Sequence, residues 1–317
     1  MNRTVVIGSR GSDLALWQAN FVKDSLAAKF PEQHFEIKVI RTTGDAVMDV
    51  ALSKIGDKGL FTQQIEEQLA GGEIDLAVHS LKDLQTEQPP GLIIGAVCER
   101  ETPNDVLVAK AAATIDELPQ GGKVATGSLR RRSQLLAYRP DLEIVEIRGN
   151  VPTRLNKFDA TNLDAMILAY AGVHRLGFDD RAAQLIPFDI MLPAVGQGAV
   201  AVEVRGDDKD IGEMMQAIDH PATRKAITAE RAFLRKLEGG CQVPIGAYAA
   251  INEDDEVTLA GMVGSLDGRI AFRQSVTGPA VDAENLGTRL ALDLIDNGAA
   301  DLLDAVRAEN ESRGTAL

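Results

Sequence analysis

Cysteine is almost missing from this chain, with Cys98 and Cys241 the two examples in 317 residues. That excludes a disulfide framework for a protein of this size. Histidine is nearly as scarce. His34, His79, His174 and His220 lie too far apart for any metal-ligand spacing, so no metal site is expected. Nowhere do about 18 apolar residues run together, which leaves no helical membrane span and no membrane partner. The first apolar run, Val5-Val6-Ile7, is too short for the core of a signal peptide and reads as a strand, so a cytoplasmic protein is expected. Positive charge is also in deficit: 33 Lys and Arg against 47 Asp and Glu give a formal net charge of −14, and aromatic residues make up 4%. Nucleic-acid binding, which relies on many phosphate-neutralising cations, is disfavoured.

What remains is ordinary globular material, 45% hydrophobic and 25% charged, enough for two or three cores. Strands are expected at Thr4–Ile7, Phe35–Ile40, Ile74–Val78, Leu92–Val97 and Val106–Ala109, with helices at Asp13–Ala28 and Thr62–Ala70. In the first helix Leu14, Trp17, Phe21 and Val22 form an apolar stripe. A second set follows: strands Lys123–Thr126, Glu143–Ile147 and Ala165–Ala169, with helices Leu129–Tyr138, Val151–Phe158 and Ala171–Leu176. This alternation predicts α/β architecture with mostly parallel sheet. The Pro- and Gly-bearing stretch Leu192–Gly198 reads as a crossing between domains, leading into the strand Ala199–Val204. The last third changes character. A helix opens at Pro221 and closes on the C-cap pair Gly239-Gly240, strands follow at Ile245–Ile251, Val257–Val263 and Ile270–Val276, and a helix runs from Asp282 to Asn297. That is a small α+β domain.

Three segments share one design, in which a strand ends, a turn of small residues follows and a helix begins with cationic or hydroxyl side chains at the turn. They are Gly8-Ser9-Arg10-Gly11-Ser12, Thr126-Gly127-Ser128-Leu129-Arg130-Arg131-Arg132 and Arg148-Gly149-Asn150-Val151-Pro152-Thr153-Arg154. Free N–H groups and the helix dipole make such ends anion sites, and arginine adds a fork matched to carboxylate or phosphate. One such turn alone reads more readily as a capped helix with solvated arginines. Three in an acidic chain point to a small, multiply charged anion. Nucleotide loops fit poorly: Gly196-Gln197-Gly198 has Ala201 at the third glycine position and runs into a strand, and no phosphate-loop sequence occurs.

Asp75-Leu76-Ala77-Val78-His79-Ser80-Leu81-Lys82-Asp83 puts a polar cluster just after a buried strand, where open α/β sheets bind ligands. Lys82 would favour the ionised form of Asp83; an exposed strand-end turn is the plainer alternative, and His79 alone reads as structural. Cys241 sits in a loop between a helix and a strand, which favours access, but a helix C-terminus does not activate a thiol. Cys98, at the end of an apolar strand, reads as packed.

Together these segments resemble the porphobilinogen deaminase (hydroxymethylbilane synthase) family. The matching stretches are Ser9–Ser12 with Leu14–Gln18, Lys58–Phe61, His79–Asp83, Gly127–Arg131, Arg148–Arg154, Leu192–Ala199 and Glu238–Gly246, in order along the whole chain. Small departures occur at Asp13, at Leu84-Gln85-Thr86 and at Ala125 and Gly127.

The resemblance implies two periplasmic-binding-protein-like α/β lobes with a cleft between them and a small C-terminal α+β domain, with boundaries expected at 1–99 plus 200–217, 100–199 and 218–317. It implies a transferase of tetrapyrrole (haem) biosynthesis, a monomer. Four porphobilinogen molecules are joined head to tail with loss of ammonia on a dipyrromethane bound to Cys241 by a thioether, and water then releases hydroxymethylbilane. Asp83 is the implied catalytic carboxylate, placed to stabilise cations and shuttle protons. Every pyrrole carries an acetate and a propionate, and charge-assisted hydrogen bonds contribute roughly 1.5–3 kcal/mol each. Arg10, Arg130, Arg131, Arg148, Arg154 and Arg175 are the candidate carboxylate binders, assisted by Ser12, Gln18, Lys58, Lys82, Thr126, Ser128 and Gln197. The glycine-bearing loop from Gly44 to Gly59, with Asp45, Lys54, Gly56 and Lys58, is expected to act as a lid. The rival reading is a non-catalytic two-lobed anion receptor, which has no need of a third domain or a cysteine loop.

Overall fold

The computed structural model describes residues 3–46, 59, 61–238 and 243–315. In chain order the elements begin with β1 (Val5–Ser9), α1 (Asp13–Lys29), β2 (Phe35–Val39), α2 (Thr43–Ala46), α3 (Gln63–Ala70), β3 (Leu76–Ser80) and β4 (Leu92–Val97). Next come β5 (Asp105–Ala109), β6 (Lys123–Ala125), α4 (Leu129–Tyr138), β7 (Glu143–Val145), α5 (Val151–Asp159), β8 (Ala165–Ala169), α6 (Tyr170–Arg175) and β9 (Gln184–Leu185). The chain closes with β10 (Val200–Arg205), α7 (Lys209–Gln216), α8 (Pro221–Lys236), β11 (Ile245–Ile251), β12 (Glu256–Gly264), β13 (Ala271–Pro279), α9 (Ala283–Leu294) and α10 (Ala300–Thr315). No helix among the described residues is long and apolar enough to cross a membrane.

The described residues form two compact units. The first comprises 3–46, 59, 61–101 and Gly198–Arg224; the second comprises Thr102–Gln197 and the described residues from Lys225 onward. The first is built on a five-stranded sheet in the order β2-β1-β3-β10-β4. Both of its faces are covered, which explains why its strands read as nearly continuous apolar runs. On one face Leu76 and Val78 join Val5, Ile7, Val22, Leu26, Val200 and Val202. On the other, Ala77 packs with Ile40, Ile65, Leu69 and Ile74.

The second unit holds a five-stranded sheet in the order β7-β6-β8-β5-β9 and a three-stranded antiparallel meander, β11-β12-β13. Helices α8, α9 and α10 pack their apolar residues with the meander, around Phe233, Leu259, Val263, Leu290 and Leu303. Gly261 belongs to that contact: a Cβ there would lie 2.5 Å from Phe233 Cζ.

The expected α/β lobes and α+β end are present, with corrections. Neither large sheet is mostly parallel. β1 pairs in parallel with β2 and β3, but β10 runs antiparallel between β3 and β4. Likewise β6 is parallel to β7 and β8, while β5 is antiparallel to β8 and β9. A strand arriving from a distant part of the chain can insert in either direction, which local alternation does not reveal. β3 lies two residues later than expected, so His79 and Ser80 belong to the strand, held by pairing with Ala201 and Val200. Helix α8 stops at Lys236, and Glu238, at φ 50°, takes the left-handed position expected of glycine. Gly239 and Gly240 lie outside the described residues. Arg307 of α10 donates to Leu237 O at 3.1 Å and Glu238 O at 3.3 Å, supplying cationic partners for that helix end. The expected final helix Asp282–Asn297 instead breaks at a π-turn, Ile295–Ala299, where Gly298 has φ 108°, and continues as α10. Helix α7 was not anticipated.

Candidate functional site

In the first unit, the turn after β1 delivers Ser12 to the N-cap of α1, where its Oγ accepts from the Ala15 N–H at 3.4 Å. Accepting leaves the hydroxyl proton available to donate, beside the open N–H groups of the first turn. Arg10 lies over the Phe61 ring, 4.2 Å from its centroid. Gln18 is buried and hydrogen-bonds the Ser80 hydroxyl at 2.9 Å. A single 3-10 turn, Leu81–Asp83, follows β3. Leu81 and Leu84 are buried on either side of it, and the Leu81 N–H donates to Ala199 O at 3.0 Å. Anchored in this way, the turn leaves Lys82 half-buried and Asp83 exposed. Arg10, Ser12, Gln18, Phe61, His79 and Asp83 line one pocket at this sheet end. Of the expected site residues this pocket brings together Arg10, Ser12, Gln18 and Asp83, and His79 forms part of its wall.

In the second unit, Ser128 caps α4 by accepting from the Arg131 N–H at 3.4 Å, and the Ser128 N–H donates to Thr126 Oγ1 at 3.2 Å. The two arginines read as a pair in sequence are separated by their bonding. Arg131 commits all three guanidinium nitrogens: Nε and Nη2 to Asp105 Oδ1 at 3.0 and 2.8 Å, and Nη1 to Ile167 O at 3.0 Å. Arg130 reaches Asp105 Oδ2 and Leu192 O, each at 2.6 Å, through Nη1. Gln197 Nε2 adds 2.9 Å to Asp105 Oδ1 and 2.7 Å to Pro103 O. Burial pushes the Asp105 carboxyl up, but the combined pull of Arg130 and Arg131 outweighs it and holds the group well below the usual carboxylate range.

The third turn is built on Gly149, whose φ of 117° only glycine adopts freely and where a Cβ would lie 2.6 Å from Thr153 Cγ2. It sets Asn150 as N-cap of α5, accepting from the Thr153 N–H at 2.9 Å. Arg148 stands in this turn with Glu146 at 3.9 Å, Arg154 is on α5, and Arg175 ends α6; all three are half-buried. Cys241 and Lys58 lie outside the described residues, as do residues 47–58 of the expected lid, whose first residues, 44–46, belong to α2.

Buried acids were missed. Asp105 and Glu203 are fully buried, as is Glu230, which accepts from the N–H groups of Gly196 and Ala249, both at 2.8 Å. Each carried a faint sign, an acid inside an apolar strand or on the apolar face of a helix.

Two family descriptions match in order: "Porphobilinogen deaminase, dipyromethane cofactor binding domain" over residues 5–213, and "Porphobilinogen deaminase, C-terminal domain" over residues 224–296. Porphobilinogen deaminase of Pelotomaculum thermopropionicum is 53% identical over 309 residues, covering 98% of this chain and 99% of that protein. The protein of the same name from Carboxydothermus hydrogenoformans is 50% identical with the same coverage. Among solved structures, a nutrient binding protein from Burkholderia cenocepacia bound to methionine shares 15% identity at a TM-score of 0.41, over 73% of this chain and 95% of that one. Half or more of the residues are shared along nearly the full length of these relatives, and both domain descriptions are met: the chain belongs to the porphobilinogen deaminase family of transferases, with its dipyrromethane cofactor binding domain.

Proposed function

We propose that this chain acts as a monomer that condenses four porphobilinogen molecules head to tail, with loss of ammonia, on a dipyrromethane attached through Cys241, and releases hydroxymethylbilane by hydrolysis. The observation that carries the reading is the pocket of the first unit, where an exposed carboxylate, Asp83, faces the same space as Arg10 and the Ser12-capped start of α1. Cationic donors hold the acetate and propionate of a pyrrole, and the carboxylate is left for its cationic centre. The chain divides into three domains at 1–99 plus 200–217, 100–199 and 218–317.

The donor set suits a dipyrromethane, whose side groups are carboxylates. Ser12 and Ser128 each keep a hydroxyl proton to donate in front of a helix N-terminus. Arg10, Arg148, Arg154 and Arg175 supply charge, with Lys58, Lys82, Gln18, Thr126 and Gln197 assisting. Arg130 binds with the part of its fork that Asp105 does not use, while Arg131, committed to Asp105 and Ile167 O, acts by holding that arrangement. When bound, the dipyrromethane supplies a nucleophilic pyrrole carbon. Asp83 lowers the energy of positive charge developing on the reacting pyrroles and takes up the proton lost from the carbon at which the new bond forms.

The test begins with the intact mass of purified protein beside Cys241→Ser. An excess of two pyrrole units, absent from the variant, is expected; a bare mass that stays bare after incubation with porphobilinogen removes the assignment. Asp83→Asn is expected to retain the adduct once reconstituted and to lose turnover by at least about 100-fold, the range for a positioned acid–base group. Near-normal turnover there would remove Asp83 from the reaction.

A further inference from the structure

Under the pocket of the first unit lie three ionisable groups that the reaction above does not use. Ala77 pairs with Glu203, and His79 with Ala201, so His79 and Glu203 project from the same face of adjacent strands. That face is the one packed with Ile65 and Leu69 of α3, and α3 also brings Glu66, itself buried. His79 Nε2 stands 3.5 Å from Glu203 Oε2, and the Glu203 side chain is 0% exposed.

This cluster is unlike an ordinary buried ion pair. Neither carboxylate oxygen of Glu203 has a hydrogen-bond partner, nor has His79 Nε2. Among the described residues, no lysine or arginine makes an ion pair with Glu203. Nearby Arg205 is taken up by Leu69 O, Ile74 O and Asp208. A carboxylate removed from water without donors is strongly disfavoured, so the group requires a positive imidazole beside it or a proton on one of the carboxyls. Burial raises Glu66, with Glu203 adding to the rise and His79 opposing it. The Thr62 hydroxyl also opposes it, without making a hydrogen bond of ordinary geometry, and Thr62 lines the pocket too.

We propose that Glu203 and Glu66 are positioning residues that fix the proton content and ring orientation of His79 where it forms the pocket wall, and so set the local charge beside Asp83. The proposal rests on reading this pocket as the reaction site. The ionisable groups around His79 are Glu203 of β10 and Glu66 of α3, with Arg10 and Asp83 lining the pocket that it shares. Of these, Glu203 alone is in ion-pair reach of the ring. A pocket wall whose charge depends on Glu203 would make turnover respond to changes at Glu203 separately from any direct role of Asp83.

The experiment uses the holoenzyme with 15N-labelled histidine; with four histidines in the chain, His79 is assigned by substitution. In Glu203→Gln the His79 ring signals are expected to change in tautomer or charge pattern while those of His34, His174 and His220 stay in place. With porphobilinogen as substrate, the pH profile of kcat is expected to move by about one unit and kcat to fall about tenfold at the parent's optimum, with KM changed less than about twofold. Glu66→Gln should shift the profile by a smaller amount, and Glu203→Asp should restore part of it. His79 signals that do not respond to Glu203→Gln, or profiles superimposable on the parent's in both glutamine variants, would overturn the proposal. Should the parent holoenzyme fail to turn over porphobilinogen, the functional reading falls, while the ring signals still decide whether Glu203 governs His79.

Discussion

Two buried polar clusters, one in each unit, have opposite characters. Around Asp105 each carboxylate oxygen is met by guanidinium or amide donors at 2.6–3.0 Å, and the arginines that meet it also reach backbone carbonyls. Around Glu203 the ion-pair partner is a ring nitrogen at 3.5 Å, and both carboxylate oxygens lack a hydrogen bond. The first is a satisfied network, which rigidifies what it holds: the start of α4 and the crossing near Leu192 and Gln197. The second keeps polar groups buried without satisfying them, the arrangement in which an unpaired group costs most. A buried charge is therefore informative through its partners more than through its burial.

The sharpest way to break this comparison is Asp105→Asn. Removing the charge leaves Arg130 and Arg131 buried without a counter-ion, and a loss of about 3–5 kcal/mol in unfolding free energy is expected, measured by urea denaturation. Replacing Asp105, Arg130 and Arg131 together with apolar residues of similar volume should cost far less, because a whole buried network can be exchanged at little net loss. A single-variant loss no larger than the triple's would show that the network is not held by charge. Since the folded Asp105 carboxyl lies below its unfolded value, its contribution is present above the unfolded pKa of about 3.9 and vanishes only as pH falls through the lower folded value. The gap between parent and Asp105→Asn should therefore persist at pH 4.

Glu230 is a milder case of the satisfied kind. Its two oxygens accept from Gly196 and Ala249, tying the glycine-bearing crossing to β11. Glu230→Gln keeps one good acceptor and turns the other position into a donor facing an N–H. A loss of about 1–3 kcal/mol is expected in the same assay, the cost of an unsatisfied buried group. No change would mean that the crossing is held by packing alone.

How legible these features were in the sequence follows from the range of the forces involved. The three capped turns were readable because an N-cap is a local event: Ser12, Ser128 and Asn150 each bond an N–H three residues on. Strands β4 and β8 and helix α4 were placed to the residue because apolar pattern and turn chemistry agree there. The strand directions of β5 and β10 were not readable, since both depend on partners far away in sequence. The division of labour between Arg130 and Arg131 was hidden for the same reason: Asp105 lies 25 and 26 residues earlier. Nothing in the strand Ala199–Val204 alone shows that Glu203 is buried; that follows from the packing of α3 on its face.

The smallest expected effect is on Glu66, and it has the opposite sign to that at Asp105. Burial, with repulsion from Glu203, raises the folded carboxyl above its unfolded value. Such a group favours the fold fully below the unfolded pKa of about 4.3 and progressively loses that contribution as pH rises through the folded value. Once ionised at high pH, Glu66 works against folding, and Glu66→Gln removes the charge without changing the shape. The variant should melt higher than the parent at pH 8, by no more than about 2 °C, and the advantage should disappear below about pH 4, where the parent's own carboxyl is protonated. Melting curves of the two proteins across that range decide it. A difference that is independent of pH would mean that Glu66 acts through packing, and the contrast between the satisfied and unsatisfied clusters would then rest on Glu203 and His79 alone.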